Sequence, residues 1–210
     1  MTGAIDPDAR SSLLIEPFPV PGRLVQLAYR ELDLVSNGAQ DQLLVLRDLR
    51  DLPRPWDPAS CETPQLRKEV WFWLEAVVTW LNQEYVWDAA DVIPPCWPQH
   101  RHLVHEIAVL ADQRRRAGLG LTSDALEEWH RYSLPSFTER MKIRLRNHCQ
   151  GEHQSWPAKG RHTRHTSETS RHRRTNIYAA DTHAVKSPHR QIQSPRLGLV
   201  DLDSGEIKDL

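Results

Sequence analysis

Two matched pairs of metal-binding side chains constrain the fold of this chain more than any other feature. Cys96 and His100 form one Cys-x-x-x-His pair, and Cys149 and His153 form the second. The pairs flank a stretch whose apolar spacing predicts helices. Cys and His in two close-spaced pairs are typical of a four-ligand structural zinc site. If the pairs bind one ion, the chain between them has to leave and return antiparallel, as one unit.

The apolar spacing predicts two helices between the pairs. Pro98 begins the first helix, which ends near Ala117. The second runs from 124 to 149, either as one helix kinked at Pro135 or as two short helices. If Pro135 instead makes a sharp hairpin, the two pairs lie at opposite ends and the site fails. Gly151 is the expected helix stop, where the chain reverses and brings the second pair back over the helix end.

Two other interpretations of the pairs stay open. Free Cys is often a small buried apolar residue, and the His can be surface residues in a chain with eleven His. Cys96, near a helix N-terminus, is alternatively a nucleophile with a lowered pKa, paired with His100, His102 or His130. No orienting acid, oxyanion loop, Gly-rich phosphate loop, H-E-x-x-H or G-x-S-x-G accompanies it. We therefore expect no catalytic residue, and four protein ligands leave zinc no open position for catalysis.

The positions of the Trp residues and the spacing of the apolar residues predict a mainly α fold. All eight Trp lie between Trp56 and Trp156, which marks the expected core. A helix over 64–85 begins at a Thr-Pro step and is apolar over most of its circumference. Such a helix lies in the centre of the fold or faces a partner protein through Trp71 and Trp80. We expect a small antiparallel helical bundle with a disordered basic C-terminal tail.

Shifts in composition divide the chain into five segments. Residues 1–20 are polar and then proline-rich, and are expected to be a flexible arm. Residues 21–55 predict a helical hairpin around a Ser-Asn-Gly turn, with a β-hairpin as the alternative. Residues 56–157 form the Trp-rich helical core. Residues 158–196 have no apolar periodicity and are expected to be disordered alone, while 197–210 alternate like a short hairpin.

The net charge of −1 conceals a basic segment near the C-terminus. Residues 151–196 contain nine Lys or Arg against three Asp or Glu. A flexible basic segment neutralises nucleic-acid phosphates without reading sequence, so it is the candidate contact with DNA or RNA. A segment that only solubilises the chain is the alternative. The candidate contact residues are Arg161, Arg164, Arg171, Arg173 and Arg174.

The sequence contains no secretory or membrane-spanning signal. Its N-terminus has neither a basic n-region nor an apolar h-region, and the longest apolar run is far shorter than the ~20 residues of a membrane span. Three cysteines do not suggest a disulfide framework. We therefore expect a cytoplasmic protein with no membrane partner and no small-molecule substrate.

One stretch resembles a group of helical proteins. Residues Pro94-Pro95-Cys96-Trp97-Pro98-Gln99-His100 with Leu103-Val104, then Trp129-His130 and Leu134-Pro135, are similar to an uncharacterised helical family of actinobacterial plasmids, phages and integrated elements. The shared motif is a Trp-x-x-His helix start and a Trp-containing second helix, over about 60 residues. The resemblance implies a mobile-element context and an accessory, non-enzymatic role, and it transfers no activity.

Together these patterns predict a non-enzymatic accessory or regulatory binding protein. It is expected to be stabilised by zinc and to contact nucleic acid through its basic tail. A protein–protein interaction module that uses the helix over 64–85 is the alternative. A Cys/His-dependent enzyme is the third interpretation.

Overall fold

The structure is a computed structural model. It describes residues 14–37, 52–146, 148–149, 151–186, 199–200 and 207–208. The mainly α fold is confirmed over these residues. The chain divides into two compact units, 1–153 and 154–210, and each is described by itself. No helix in the described part of the chain is long and apolar enough to cross a membrane.

The helices of the first unit are α1 (Arg23–Asn37), α2 (Pro64–Glu84), α3 (Arg101–Ala117), α4 (Asp124–Glu128) and α5 (Leu134–Leu145). A five-residue π-helical turn, Trp129–Ser133, joins α4 to α5. Short 3-10 turns occupy three connections, at Pro58–Ser60, Ala89–Asp91 and Trp97–Gln99.

The first half of the predicted hairpin over 21–55 is the helix α1. Val25, Ala28 and Tyr29 are its buried residues, and their helical spacing prevails over the short strand-like alternation in the same segment. The second half, 38–51, lies outside the described residues. Because Val25 and Tyr29 belong to the same core as α2, this core begins well before residue 56.

The predicted flexible arm, 1–20, is bound to the core over its described part. The indole N–H groups of Trp73 and Trp80 donate hydrogen bonds to arm carbonyls at 3.0 and 2.9 Å. The Phe18 ring packs edge-on against both indoles, with centroids 6.5 and 5.1 Å apart. Buried indole N–H groups need acceptors, and here the arm provides them. Residues 1–13 lie outside the described residues.

Helix α2 lies in the centre of the core. Trp80 is only 6% exposed, and Trp71 packs against Trp97 with ring centroids 5.7 Å apart. Of the two roles that the sequence left open, the structure therefore has the central one. Its buried side chains are Leu66, Val70, Trp73, Leu74, Val77, Val78, Trp80 and Leu81.

The segment of α4, the π turn and α5, here called the return helix, stays continuous through Pro135. A proline inside an α-helix removes an N–H donor and clashes with the carbonyl four residues earlier. The π turn immediately before Pro135 adds the extra residue that accommodates this defect. Ser133 (φ −69°, ψ −53°) keeps helical backbone angles across the junction. The segment is thus one helical unit that ends at Leu145, four residues before the predicted end.

This return helix lies antiparallel to α3. Trp129, early in the return, donates its indole N–H to the carbonyl of Leu110 at 3.2 Å. Glu106, one turn earlier in α3, binds Arg140 at 2.8 Å and also Arg144, both late in the return. Because residue numbers fall on one helix as they rise on the other, the start of α3 meets the end of α5.

The end of α3 is held by aromatic rings. The Arg114 guanidinium carbon lies 5.2 to 5.7 Å from three ring centroids, those of Phe18, Trp80 and Trp129. Arg115 lies 3.5 Å from the ring centroid of Tyr29. Asp112, only 4% exposed, forms ion pairs with Arg115 and Arg116. These cations thus connect α3 to the arm and to α1, beyond the interaction with the helix dipole that their position favours.

The second unit contains α6 (Lys159–Thr166), α7 (Glu168–Lys186) and the strands β1 (Leu199–Val200) and β2 (Ile207–Lys208). The strands pair antiparallel, Leu199 with Lys208 and Val200 with Ile207, within the stretch whose alternation predicts a hairpin.

The predicted disordered tail, 158–196, is helical over its described part. No side chain described in α6 or α7 is buried, so the expectation that this segment builds no core holds. Its backbone is nevertheless regular, because helical hydrogen bonds are local and need no core. Residues 187–196 lie outside the described residues.

Glu69 of α2 binds the N-terminus of α1. Its Oε2 accepts the backbone N–H of Leu24 at 2.8 Å and that of Val25 at 3.4 Å. A carboxylate there satisfies two helix donors and interacts favourably with the helix dipole.

We predict that Glu69→Gln lowers the free energy of unfolding by about 1 kcal/mol, because a neutral amide replaces the anion at this helix end. Urea unfolding of the full chain measures it. The exposed Glu62→Gln, in the same region, is the control and should change stability little. Equal unfolding curves for the two variants would contradict the prediction.

Candidate metal centre

The first Cys-His pair is held by the 3-10 turn Trp97–Gln99. Cys96 is the N-cap of this turn, and His100 is both its C-cap and the N-cap of α3. Helix α3 therefore begins at Arg101, three residues later than predicted. Trp97, 2% exposed, donates its indole N–H to Glu75 of α2 at 3.1 Å. This buried anchor holds the turn on the core.

The second pair follows a tight reversal after α5. Arg146 and Cys149 have positive φ values of 49° and 67°. The predicted helix stop at Gly151 is wrong, since the helix ends at Leu145 and the positive φ values fall on these two residues, although the chain also bends at Gly151. A non-glycine residue in the left-handed region costs roughly 1–3 kcal/mol and persists where surrounding structure requires it. At Cys149 this conformation accompanies a thiol that contacts both His of the group.

The four side chains meet at the open end of the antiparallel pair. The Sγ of Cys96 lies 3.3 Å from Nε2 of His100. The Sγ of Cys149 lies 3.4 Å from the same nitrogen and 3.7 Å from Nδ1 of His153. All four ligand atoms lie within 4.8 Å of one another, so the predicted set is a group that could hold a metal ion.

The spacing of these atoms fits a tetrahedral ion. With Zn–S bonds of about 2.3 Å and Zn–N bonds of about 2.0–2.1 Å, tetrahedral sulfur and nitrogen ligands lie about 3.6 Å apart. Three of the four sulfur–nitrogen distances here are 3.3, 3.4 and 3.7 Å, and all four ligand atoms lie within 4.8 Å of one another. Thiolate and imidazole suit zinc, whereas magnesium and calcium prefer oxygen ligands. The chain thus places suitable donors at suitable distances without an ion.

Burial shifts the pKa of two members of this group, His100 and Cys96. It lowers the pKa of His100, with His153 and then His102 adding to the effect. His100 therefore favours the neutral imidazole, the form that ligates metals. Burial also raises the pKa of the Cys96 thiol, and Cys149 raises it further. A thiolate in this position needs a compensating cation.

The same electrostatics do not support the nucleophile interpretation of Cys96. An activated cysteine has a lowered pKa, and here the pKa is raised. His130 lies elsewhere, with Nε2 3.0 Å from the Tyr85 hydroxyl. His102 packs beside His100, with ring centroids 5.9 Å apart, and burial lowers its pKa. Neither His130 nor His102 belongs to the four-ligand group.

The group is shielded on one side and open on the other. Cys149 is 7% exposed, Cys96 and His100 are half-buried, and His153 is exposed. The site therefore has a solvent-accessible edge through which an ion can enter.

Cys61, the third cysteine, lies outside the group. It is fully buried, and its Sγ lies 3.8 Å from the carbonyl of Arg54.

The five candidate nucleic-acid contacts lie on the two helices of the second unit. Arg161 and Arg164 are exposed on α6, and Arg171 and Arg173 are exposed on α7. Arg174 is half-buried and donates to the carbonyl of His165 at 2.9 Å. The arginines thus lie on a helical scaffold instead of the expected flexible chain.

The predicted partner contacts have structural roles in the first unit. Trp80 is buried beneath the arm, and Trp71 packs on Trp97. Sequence reasoning missed the part of Trp97 and Glu75 in holding the first metal pair. The position of Trp97 beside Cys96 was the one sequence signal for this anchor. Nothing in the sequence indicates that Glu75 accepts the hydrogen bond of its indole.

Comparisons of this chain with protein-family models, with curated proteins and with solved structures find no match. The resemblance to a helical family of mobile elements therefore stays a prediction. Inferences about function rest on the geometry and chemistry of the chain itself.

The backbone at Cys149 allows a test that needs no metal. In the presence of a chelator, we predict that Cys149→Gly is more stable than Cys149→Ala by about 1 kcal/mol, because glycine adopts positive φ without steric cost. Thermal or urea unfolding measures the difference. The same pair of substitutions at Val109, within α3, should show the opposite order, since glycine is the poorer helix former. The same order at both positions would contradict the prediction.

Proposed function

We propose that this chain is a zinc-stabilised helical binding protein that contacts nucleic acid through its basic C-terminal helices, in an accessory, non-enzymatic role. The observation that supports it best is the convergence of Cys96, His100, Cys149 and His153. The mobile-element setting comes from the resemblance alone.

Zinc in this group would act structurally. Four protein ligands complete a tetrahedral shell and leave no position for water or substrate. The ion would connect the start of α3 to the turn after α5. This is the end of the antiparallel pair opposite the α3–α4 connection. Since the ligands are brought together by folding, the free energy of binding zinc adds to the free energy of folding. It would also offset the backbone conformation of Cys149 and the buried charge of a Cys96 thiolate.

We predict one zinc per chain by elemental analysis, with loss of the metal in Cys96→Ser and in Cys149→Ser. Cys61→Ala is the matched control and should keep the ion, because Cys61 lies outside the group. At a free zinc concentration 100 times the dissociation constant, unfolding should cost about 2.7 kcal/mol more than in a chelator.

Histidines outside the group require a second readout. Five further His follow His153, at 162, 165, 172, 183 and 189, and they can bind metal without forming the proposed site. Cobalt substitution distinguishes the two cases, since thiolate ligands give an absorption band that imidazole ligands alone do not. A cobalt spectrum without that band, or one unchanged in Cys149→Ser, would sink the zinc proposal.

The charge of the second unit favours a nucleic-acid partner. Residues 158–186 contain seven Lys or Arg against two acidic residues. Four of the five candidate arginines are exposed, and no side chain described in α6 or α7 is buried. Phosphate groups are the natural ligands of such a surface, because arginine binds them through paired hydrogen bonds as well as by charge.

We predict that the full chain binds a nucleic-acid duplex with a log–log salt slope of about −3.6 if the four exposed candidate arginines each neutralise one phosphate. Replacing Arg161, Arg164, Arg171 and Arg173 with Gln should move the slope close to zero, as measured by fluorescence anisotropy over a salt series. The double variant Arg101→Gln/Arg131→Gln, exposed in the first unit, is the control. Binding that does not depend on salt, or that persists in the four-residue variant, would overturn the nucleic-acid contact.

A further inference from the structure

Helix α7 has the dimensions of a groove-binding helix. It contains 19 residues and is therefore about 28 Å long. Its described side chains are exposed except for Ser170 and Arg174, which are half-buried. Because this helix packs no face into a core, most of its circumference is open to a partner. The diameter of such a helix, about 10–12 Å, matches the major groove of B-form DNA, which is about 12 Å wide.

The arginines of α7 lie on two flanks. Arg171 and Arg173 are two residues apart, which places them about 200° apart around the helix. A helix resting on a single phosphate backbone needs cations along one side. A helix inside a groove has phosphates on both sides and needs cations on both. The placement of Arg171 and Arg173 fits the second arrangement.

Between these flanks runs a stripe of exposed small and polar side chains, His172, Thr175, Asn176 and Ala179. Their spacing, i, i+3, i+4 and i+7, places them on one face of the helix. The groups have the chemistry of base readout. Asn binds adenine through two hydrogen bonds, and the methyl groups of Thr and Ala contact the thymine methyl.

The corner between α6 and α7 gives this helix a defined start. Ser167, with ψ 148°, ends α6, and its Oγ accepts the backbone N–H of Ser170 at 3.4 Å. Arg174 braces the corner through its 2.9 Å bond to the carbonyl of His165. Arg161 and Arg164, three residues apart on α6, share a face on the other arm of the corner.

We propose that α7 binds in the major groove of duplex DNA, with Arg171 and Arg173 on the phosphates of opposite strands and the His172–Thr175–Asn176–Ala179 stripe facing the base edges. The inference rests on the proposed nucleic-acid contact and specifies its partner. Duplex RNA is not the partner, because its deep and narrow major groove does not admit a helix. Asn176 then discriminates sequence, whereas the two arginines supply affinity for any sequence.

The test uses the full chain with three probes of equal length, namely a DNA duplex with a randomised centre, the corresponding single strand and an RNA duplex. We expect tightest binding to the DNA duplex and a sequence preference after selection. On the selected duplex, Asn176→Ala should lose about tenfold or more discrimination at one position with an unchanged salt slope. Arg171→Gln or Arg173→Gln should weaken binding to all sequences and reduce the magnitude of the slope by about 0.9 each.

Ile177→Ala is the matched control, because Ile177 is exposed on the face away from the stripe, and it should change neither quantity. Ala forms helix better than Asn, so melting of α7 cannot explain an effect of Asn176→Ala. Equal binding to all three probes without sequence preference would overturn the groove assignment and leave the nucleic-acid proposal standing. No binding to any probe at low salt would overturn both.

Discussion

The buried hydrogen bond from the Trp129 indole to the carbonyl of Leu110, 3.2 Å long, sets how the return helix lies on α3. The ion pairs of Glu106 with Arg140 and Arg144 extend the same antiparallel register toward the other end. Because the two helices run in opposite directions over their whole length, the residues before α3 and after α5 come together. Every distance in the candidate metal group depends on this register, and a shift of one helical turn would separate its ligands by about 5 Å.

The candidate metal group combines one pair that is anchored to the core and one pair with a strained backbone. Cys96 and His100 sit on a 3-10 turn that the buried Trp97 anchors to α2. Cys149, by contrast, reaches its position only through a positive φ. An ion would bind an already formed first pair and stabilise the costly conformation of the second. This division explains how a structural ion could close the helix pair while the core of the unit rests on aromatic packing.

Different interactions stabilise the two units. The first buries its large aromatic side chains and satisfies their polar atoms, with Trp73 and Trp80 bound to the arm. The described helices of the second bury no side chain and rely on local hydrogen bonds and on the cap at Ser167. Most of the charged side chains described on these two helices are exposed, and Arg174, half-buried and bound to the carbonyl of His165, is an exception. The first unit is therefore ordered around a buried aromatic core, whereas the described helices of the second are ordered without one.

The sequence by itself determined the helical class, the start of α2 at Pro64, the four members of the metal group and the basic segment. These follow from local spacing and residue chemistry, which do not depend on the rest of the chain. Tertiary structure alone decided that the four ligands converge, because that requires the π turn to carry the helix through Pro135. It also decided that the arm covers Trp73 and Trp80, and that the helix ends at Leu145 instead of Gly151, with positive φ at Arg146 and Cys149. Such outcomes depend on contacts between distant residues, and a pattern of neighbouring residues does not contain them.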